Sequence, residues 1–233
     1  MSEMLEWRGD SLQITVCCLV VVLISWLLTK IFRHKKHGLQ IGDPYKGHRW
    51  YFTDFLDKPT YCNECEATVV RGGFCENCGV CVHEECIPNA YKRLACKVLV
   101  LSKNSVMKHH WVKGNLPLCS VCSICGNPCG TEPRLCDFRC VWCKEKVHEH
   151  CLKIKPPNCD LGKYSRMILP PNCISLTVKG WTDRRKRTVV KEVRRPSLSQ
   201  WSPVLVFANR KSGDNEGERL ISAFRGLLNP VQV

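Results

Sequence analysis

Residues 109–159 read HHWVKGNLPLCSVCSICGNPCGTEPRLCDFRCVWCKEKVHEHCLKIKPPNC. Its histidines and cysteines follow the order H-x12-C-x2-C-x14-C-x2-C-x4-H-x2-C-x7-C. Residues 48–96 carry the same order with a shorter spacer between the two CxxC pairs. Because Zn²⁺ takes thiolate and imidazole ligands in a tetrahedron, a doubled eight-ligand order predicts bound zinc.

Eight residues in each repeat are the predicted metal ligands, and together they would hold four structural zinc ions. Closed four-ligand sites leave no position for a reactive water, so a structural rather than a catalytic role is expected. The ligands of the first repeat are His48, Cys62, Cys65, Cys75, Cys78, His83, Cys86 and Cys96. Those of the second are His109, Cys122, Cys125, Cys140, Cys143, His148, Cys151 and Cys159.

The chain has 19 cysteines in 233 residues and a net charge of +14, which leaves disulfides or metal as the two explanations. An apolar run over residues 12–32 decides between them. It predicts a transmembrane helix that is just long enough to span a bilayer, after a lumenal segment 1–11. The basic segment 33–47 that follows predicts a cytosolic location for the zinc repeats, where thiols stay reduced. A re-entrant hairpin in the membrane would give the same location.

The ligand order of both repeats resembles that of the C1 domain, the zinc module of diacylglycerol and phorbol-ester receptors. The resemblance implies interleaved sites, in which His48 joins Cys75, Cys78 and Cys96, and the intervening ligands form the second site. Pro59 and Gly72 match the lipid-binding loops of that family. Arg71, however, stands where the family has Gln, and the second loop of the first repeat is short. Both repeats therefore resemble atypical C1 domains, for which protein partners are favoured over tight diacylglycerol binding.

Residues 160–200 form a basic segment that we interpret as a linker. Eight Lys or Arg residues lie between positions 179 and 195, against two acidic ones. A solvated linker, contact with anionic lipid and nucleic-acid binding all fit such a segment. Little aromatic interleaving and the membrane segment place nucleic acid last, so no nucleic-acid partner is expected.

Residues 201–233 combine a predicted strand, PVLVFA at 203–208, with a Gly-containing turn and an amphipathic stretch. Taken alone, this is an ordinary βα turn. After two C1 repeats it resembles the start of the diacylglycerol kinase catalytic domain. That resemblance implies a nucleotide-phosphate turn at Asn209, Ser212 and Gly213, although Arg210 replaces the family's Pro. The order of segments resembles the epsilon type of this family.

The predicted fold class is therefore small zinc-stabilised α+β: a transmembrane helix, two tandem C1 domains (48–96 and 109–159) and an incomplete α/β fragment (201–233). The resemblance implies the membrane-anchored part of an ATP-dependent enzyme that converts diacylglycerol to phosphatidic acid. The chain lacks the family's Gly-Gly-Asp-Gly loop, so ATP and Mg²⁺ are expected only in the full-length enzyme and no catalytic residue is predicted here. The truncated chain is expected to be inactive. A membrane-tethered adaptor is the alternative, and a nucleic-acid-binding zinc protein is the weaker one.

Overall fold

The structure is a computed structural model that describes residues 17–28, 47–55, 58–179, 187–209 and 216–233. The chain divides into two units, residues 1–38 and 39–233. In the first unit residues 17–28 are helical (α1) and exposed. Among the described residues, no helix has the length and hydropathy that crossing a bilayer requires. The predicted segments 1–11 and 33–46, and both ends of the segment 12–32, lie outside the described residues.

The first zinc module is a small antiparallel sheet followed by one helix. Strands β1 (Trp50–Asp54), β2 (Arg71–Cys75) and β3 (Cys81–Val82) pair in that order, and helix α2 covers Ile87–Arg93. Trp50 anchors the core at 1% exposure and packs with aliphatic side chains of β3 and α2. Gly72 lies in β2 beside its antiparallel neighbour β3, so closely that a Cβ there would collide with the carbonyl oxygen of Val82. The glycine is therefore needed for strand packing.

The second zinc module repeats this topology with shorter strands. Strands β4 (Trp111–Lys113), β5 (Phe138–Cys140) and β6 (Lys146–Val147) form an antiparallel sheet in chain order. Its cores are small and include several cysteines, for example Cys122 and Cys129 beside Val147. Modules of this size bury too little apolar surface to fold on hydrophobic contacts alone, so metal must contribute to their stability.

Polar contacts join the two modules. Asn115 adopts a positive φ of 50° and pairs with the backbone of Tyr61, accepting from its N–H at 2.9 Å and donating to its carbonyl at 2.8 Å. Asn63 donates to the carbonyl of Lys113 at 2.7 Å. Val112 and Val141 of the second module are buried in the core of the first. The modules therefore share packing as well as hydrogen bonds.

The segment 160–200 is not the linker that the sequence analysis predicts. Strands β7 (Ile174–Lys179) and β8 (Arg187–Val193) form an antiparallel hairpin with a register shift between Ser175 and Leu176. Ile168 and Ile174 before and within it are buried at 0% and 2% exposure. The consecutive β-branched residues Thr188, Val189 and Val190 of β8 pair with β7 despite the charges on either side of them. Residues 180–186, at the basic centre of the segment, lie outside the described residues.

The tail differs from its prediction in one element. Residues 203–208 form no strand, and Phe207 is 90% exposed, because no neighbouring strand in the described part of the chain pairs with this segment. The predicted amphipathic stretch is helix α3 (Glu216–Leu227), with Ile221 and Arg225 buried. Asn229 and Gln232 then form a capping box around a short 3₁₀ turn. Asn229 and Gln232 are buried, and Leu228 packs in the same cluster as Trp142 of the second module.

Candidate metal centres

The sixteen predicted ligands lie in four groups of four. In each group the sulfur and imidazole nitrogen atoms lie within 4.8 Å of one another. The groups of the first module are His48, Cys75, Cys78, Cys96 and then Cys62, Cys65, His83, Cys86. Those of the second are His109, Cys140, Cys143, Cys159 and then Cys122, Cys125, His148, Cys151. The pairing is the interleaved one that the C1 resemblance implies.

Distances within the groups match a zinc tetrahedron. Ligands about 2.3 Å from a tetrahedral ion lie about 3.7 Å from one another. Cys75 Sγ and Cys96 Sγ are 3.7 Å apart, and Cys140 Sγ and Cys159 Sγ are 4.0 Å apart. In three groups a histidine Nδ1 lies 3.3 Å from a cysteine sulfur, and in the fourth the distance is 3.4 Å. The four groups therefore fit structural zinc.

Backbone carbonyls fix the orientation of three of the four histidines. His48 Nε2 lies 3.0 Å from the carbonyl oxygen of Leu94, and His83 Nε2 lies 3.1 Å from that of Thr68. His148 Nε2 lies 3.0 Å from the oxygen of Pro128. A carbonyl can only accept, so each Nε2 is the protonated nitrogen and Nδ1 faces the cysteines with a free lone pair. Such support raises the affinity of imidazole for a metal.

The CxxC turns prepare thiolates for the metal. Burial opposes ionisation of Cys62, but hydrogen bonds from nearby backbone N–H groups outweigh it and lower the pKa of its thiol to about 7. The same balance of burial and backbone N–H groups lowers the pKa of Cys122 to about 6. Both cysteines open the first CxxC pair of their module, so the fold itself favours the charged form that zinc requires.

The remaining cysteines lie outside the four groups. Cys81, Cys129 and Cys136 are buried, Cys173 is half-buried and Cys119 is exposed, while Cys17 and Cys18 are exposed on α1. Burial raises the pKa of Cys129 to about 11 and that of Cys81 to about 12, so these thiols are protonated and pack as apolar side chains.

The other predicted site residues are placed apart from one another. Pro59 is exposed, whereas Gly72 is buried between β1 and β3. Of the predicted phosphate turn, Asn209 is exposed at the end of the irregular segment that precedes α3. Ser212 and Gly213 lie outside the described residues.

Two lysines that the sequence analysis did not single out bind the carboxyl end of α3. The ammonium of Lys97 donates to the carbonyls of Arg225 and Gly226, both at 3.1 Å, and lies 4.5 Å from the Trp142 ring centre. Lys144 also donates to the Gly226 carbonyl. Positive charge at a helix carboxyl end stabilises the helix. Each lysine directly follows a metal ligand, so the zinc modules position both.

A buried ion triad holds the same helix from its side. Glu76 is 3% exposed, and its Oε2 lies 3.0 Å from Arg225 Nη1 and 2.7 Å from Arg49 Nε. Burial raises the pKa of Glu76, and the charge of Arg225 opposes that rise. The Asn-Pro-x-Gln order at 229–232, typical of a capping box, was the available signal that the tail is folded. Nothing in the local sequence marks Lys97 or Glu76.

Comparison with known proteins gives a consistent result. Residues 48–97 and 109–162 match the family described as "Phorbol esters/diacylglycerol binding domain (C1 domain)". The chain is 36% identical over 203 residues to diacylglycerol kinase eta of Drosophila melanogaster, and 35% identical over 203 residues to that of Drosophila mojavensis. It is 34% identical over 200 residues to diacylglycerol kinase eta of Mus musculus.

Each of these matches covers 80% of this chain. The chain spans 10% of the Drosophila relatives' length and 15% of the mouse relative's. The relatives are of the eta type, so they support the kinase family but not the epsilon type that the order of segments suggests. The chain is thus similar to the diacylglycerol kinases over 80% of its length, and its two C1-like modules carry four groups that fit structural zinc.

Proposed function

We propose that this chain is the amino-terminal part of an ATP-dependent diacylglycerol kinase of the epsilon type. In this proposal α1 belongs to a membrane anchor, and the C1 pair lies on the cytosolic side and carries the start of the catalytic domain. The enzyme would transfer the γ-phosphate of ATP to diacylglycerol. The 233-residue chain would have no kinase activity by itself, because its sequence lacks the Gly-Gly-Asp-Gly loop.

The observation that carries the proposal is the docking of the tail on the C1 pair. Helix α3 contacts Lys97 of the first module and Lys144 of the second, and Leu228 is buried in the same cluster as Trp142. The tail is the segment that resembles the opening of the kinase catalytic domain. A C1 pair that served only as a separate lipid sensor would have no need to hold it.

Membrane and lipid contacts follow from the chemistry of the surface. Residues 17–28 expose a continuous apolar helix, including Leu19, Val22 and Trp26. The C1 family of the two modules is described as diacylglycerol binding. Basic residues of the segment 179–195 would add attraction to anionic lipid, at about 1 kcal/mol per residue near the surface. These contacts would bring the enzyme to its lipid substrate.

A lipid kinase assay on native protein tests the proposal. An antibody raised against residues 109–159 should precipitate activity that transfers phosphate from ATP to diacylglycerol. After denaturing electrophoresis and renaturation, the activity should reside in a polypeptide that the same antibody stains. The 233-residue chain, expressed alone, is the control and should show no turnover. Precipitates without activity from cells that express the protein would contradict the proposal.

A membrane-tethered adaptor is the second candidate, and the exposed tail segment favours it. Leu205 and Phe207 are 63% and 90% exposed, and apolar side chains in such positions suit a protein partner. In the adaptor case the assay above would find activity only in a separate polypeptide that the antibody does not stain.

A further inference from the structure

A cavity of about 590 Å³ lies where the two modules and helix α3 meet, and Cys78 is the one described metal ligand among its lining residues. Its walls come from β2 and the turn after it, from residues 139–146 of the second module, and from Ser222, Ala223 and Gly226 of α3. Small-molecule sites typically have volumes of about 300–1,000 Å³, so the cavity is large enough for a ligand.

Positive charge dominates this cavity. The described lining residues include four cationic side chains, Lys58, Arg139, Lys144 and Lys146. Among those lining residues Glu76 is the only carboxylate, and it already pairs with Arg49 and Arg225. The cavity therefore has an excess of positive charge that the described residues do not neutralise.

Two of the four cations already donate hydrogen bonds to backbone carbonyls, and two do not. Lys144 donates to the carbonyls of Val141 and Gly226, and Arg139 donates to those of Cys78 and Gly79. The ammonium groups of Lys58 and Lys146 make no hydrogen bond or ion pair within the described residues. These two are free to bind an anion that enters the cavity.

A buried amide oxygen without a hydrogen-bond partner belongs to the wall of the same cavity. Asn77 lines the cavity at 2% exposure, and its Oδ1 has no hydrogen-bond partner among the described residues. A buried amide left unpaired costs about 1–3 kcal/mol, so such groups normally contact a partner or a ligand. The Nδ2 and Oδ1 positions of an asparagine exchange by a simple flip, so Asn77 can donate to a phosphate oxygen or accept from a phosphate hydroxyl.

Apolar walls strengthen the attraction. Phe55, Phe74, Pro117 and Ala223 surround the charged groups. Low-dielectric walls keep solvent from screening charges and focus the field of the cations into the cavity. Lysine binds phosphate well as a point charge, and a phosphate group attached to an apolar body would fill both parts of the surface.

We propose that this cavity is a phosphate-binding site, in which Lys58, Lys146 and Asn77 bind a phosphomonoester or inorganic phosphate. The group could arrive as the head of an anionic lipid or as a free ion. The proposal does not depend on the kinase function, since it rests on residues of the C1 pair and α3. A failure of the kinase assay would leave it intact.

Two measurements on the full 233-residue chain test it. One arm is a calorimetric titration in detergent micelles, with inorganic phosphate against chloride at equal ionic strength. The other measures flotation with phosphatidylcholine vesicles that contain phosphatidic acid or, at equal surface charge, phosphatidylserine. Binding in the first arm identifies a free phosphate, and preference for phosphatidic acid in the second identifies a monoester head group. Either result supports the site, provided that the variants below reduce it.

The variant Lys58→Gln/Lys146→Gln should weaken binding roughly tenfold or more, since each charge-assisted hydrogen bond to phosphate is a strong one. The matched control is Lys103→Gln/Lys153→Gln, which removes the same charge from exposed positions outside the cavity. Zinc content should stay unchanged in both. Equal loss in cavity and control variants would reduce the effect to net charge and overturn the proposal, as would binding in neither arm.

Discussion

Single cysteines of the metal groups connect parts of the chain that lie far apart in the sequence. Cys140 is fully buried, and its sulfur accepts from the backbone N–H of Trp142 at 3.4 Å. Cys159, in the same group, lies 19 residues along the chain. One zinc ion thus joins two distant parts of the module, and losing one ligand should release both.

The variant Cys140→Ser tests this at the second module. Serine is a poor zinc ligand, so the group of His109, Cys143 and Cys159 should lose its ion and the module should unfold. Zinc measured by atomic emission should fall from the four ions of the intact chain to three or fewer. The control Cys119→Ser changes an exposed thiol outside the groups and should keep all four. Retention of four ions by Cys140→Ser would contradict the assignment.

Two glycines give opposite predictions for the same substitution. Gly72→Ala should destabilise the first module by about 1–3 kcal/mol, because its Cβ would collide with the Val82 backbone. Gly226→Ala should stabilise α3 by roughly 0.5–1 kcal/mol, since the nearest atom to its Cβ is 3.8 Å away and alanine favours a helix. Thermal unfolding midpoints with zinc present should move in opposite directions. A midpoint unchanged by Gly72→Ala would contradict the packing role.

At the scale of elements, helix α3 is held from its end and its side by different groups. Lys97 and Lys144 donate to the last carbonyls of the helix, and Arg225 donates to the carboxylate of Glu76. The helix also places Phe224 and Leu227 against the cluster around Trp142. Because isolated helices of this length are marginal in water, tertiary contacts must supply most of its stability.

The variant Arg225→Ala should loosen the helix without unfolding the modules. Glu76 keeps Arg49 as a partner, so we expect a loss of about 1–3 kcal/mol rather than the full cost of an unpaired buried charge. Hydrogen exchange in residues 216–233 should accelerate while that in residues 111–147 stays slow. The control Arg219→Ala removes an 80% exposed partner of Glu216 on the same helix and should change exchange little. Equal effects of both variants would argue against the triad.

The predictability of elements depended on where their partners lie. Helix α3 was predictable because its amphipathic period is local to the segment. The expected strand at 203–208 was wrong because an apolar run forms a strand only where another strand pairs with it, and Phe207 projects into solvent instead. The β7–β8 hairpin was missed because the charges of residues 179–195 suggested a solvated linker, although Val189, Val190 and Val193 favour a strand.

At the scale of the whole second unit, residues 39–233, the metal sites and their connections differ in how far sequence reasoning reaches. Ligand order and spacing predicted the sixteen ligands and four ions because zinc chemistry restricts residue type, whereas the interleaved grouping came from the C1 resemblance. The contacts that join the two modules could not be predicted from the sequence. Asn115 pairs with Tyr61 across 54 residues, and Lys97 contacts Arg225 across 128. Contacts between residues so far apart produce no local or periodic pattern in a single sequence.

Docking of the tail, residues 216–233, should therefore depend on zinc binding. Lys97 follows the ligand Cys96, and Lys144 follows the ligand Cys143, so the metal groups fix the backbone that presents both ammonium groups to α3. Removing zinc with a chelator should unfold the modules and release the tail. Trypsin cleavage after Arg219 should then rise in step with zinc loss.

Zinc binding, in contrast, should not depend on docking of the tail. Arg225→Ala should release the tail and increase cleavage after Arg219 while all four zinc ions remain bound, because no ligand lies in residues 216–233. Comparing zinc content with cleavage in the chelated chain and in the variant separates the two directions. Zinc loss that leaves Arg219 protected would show that the tail docks without the metal-ordered lysines. In that case the apolar contacts of Phe224, Leu227 and Leu228 would have to hold the helix by themselves.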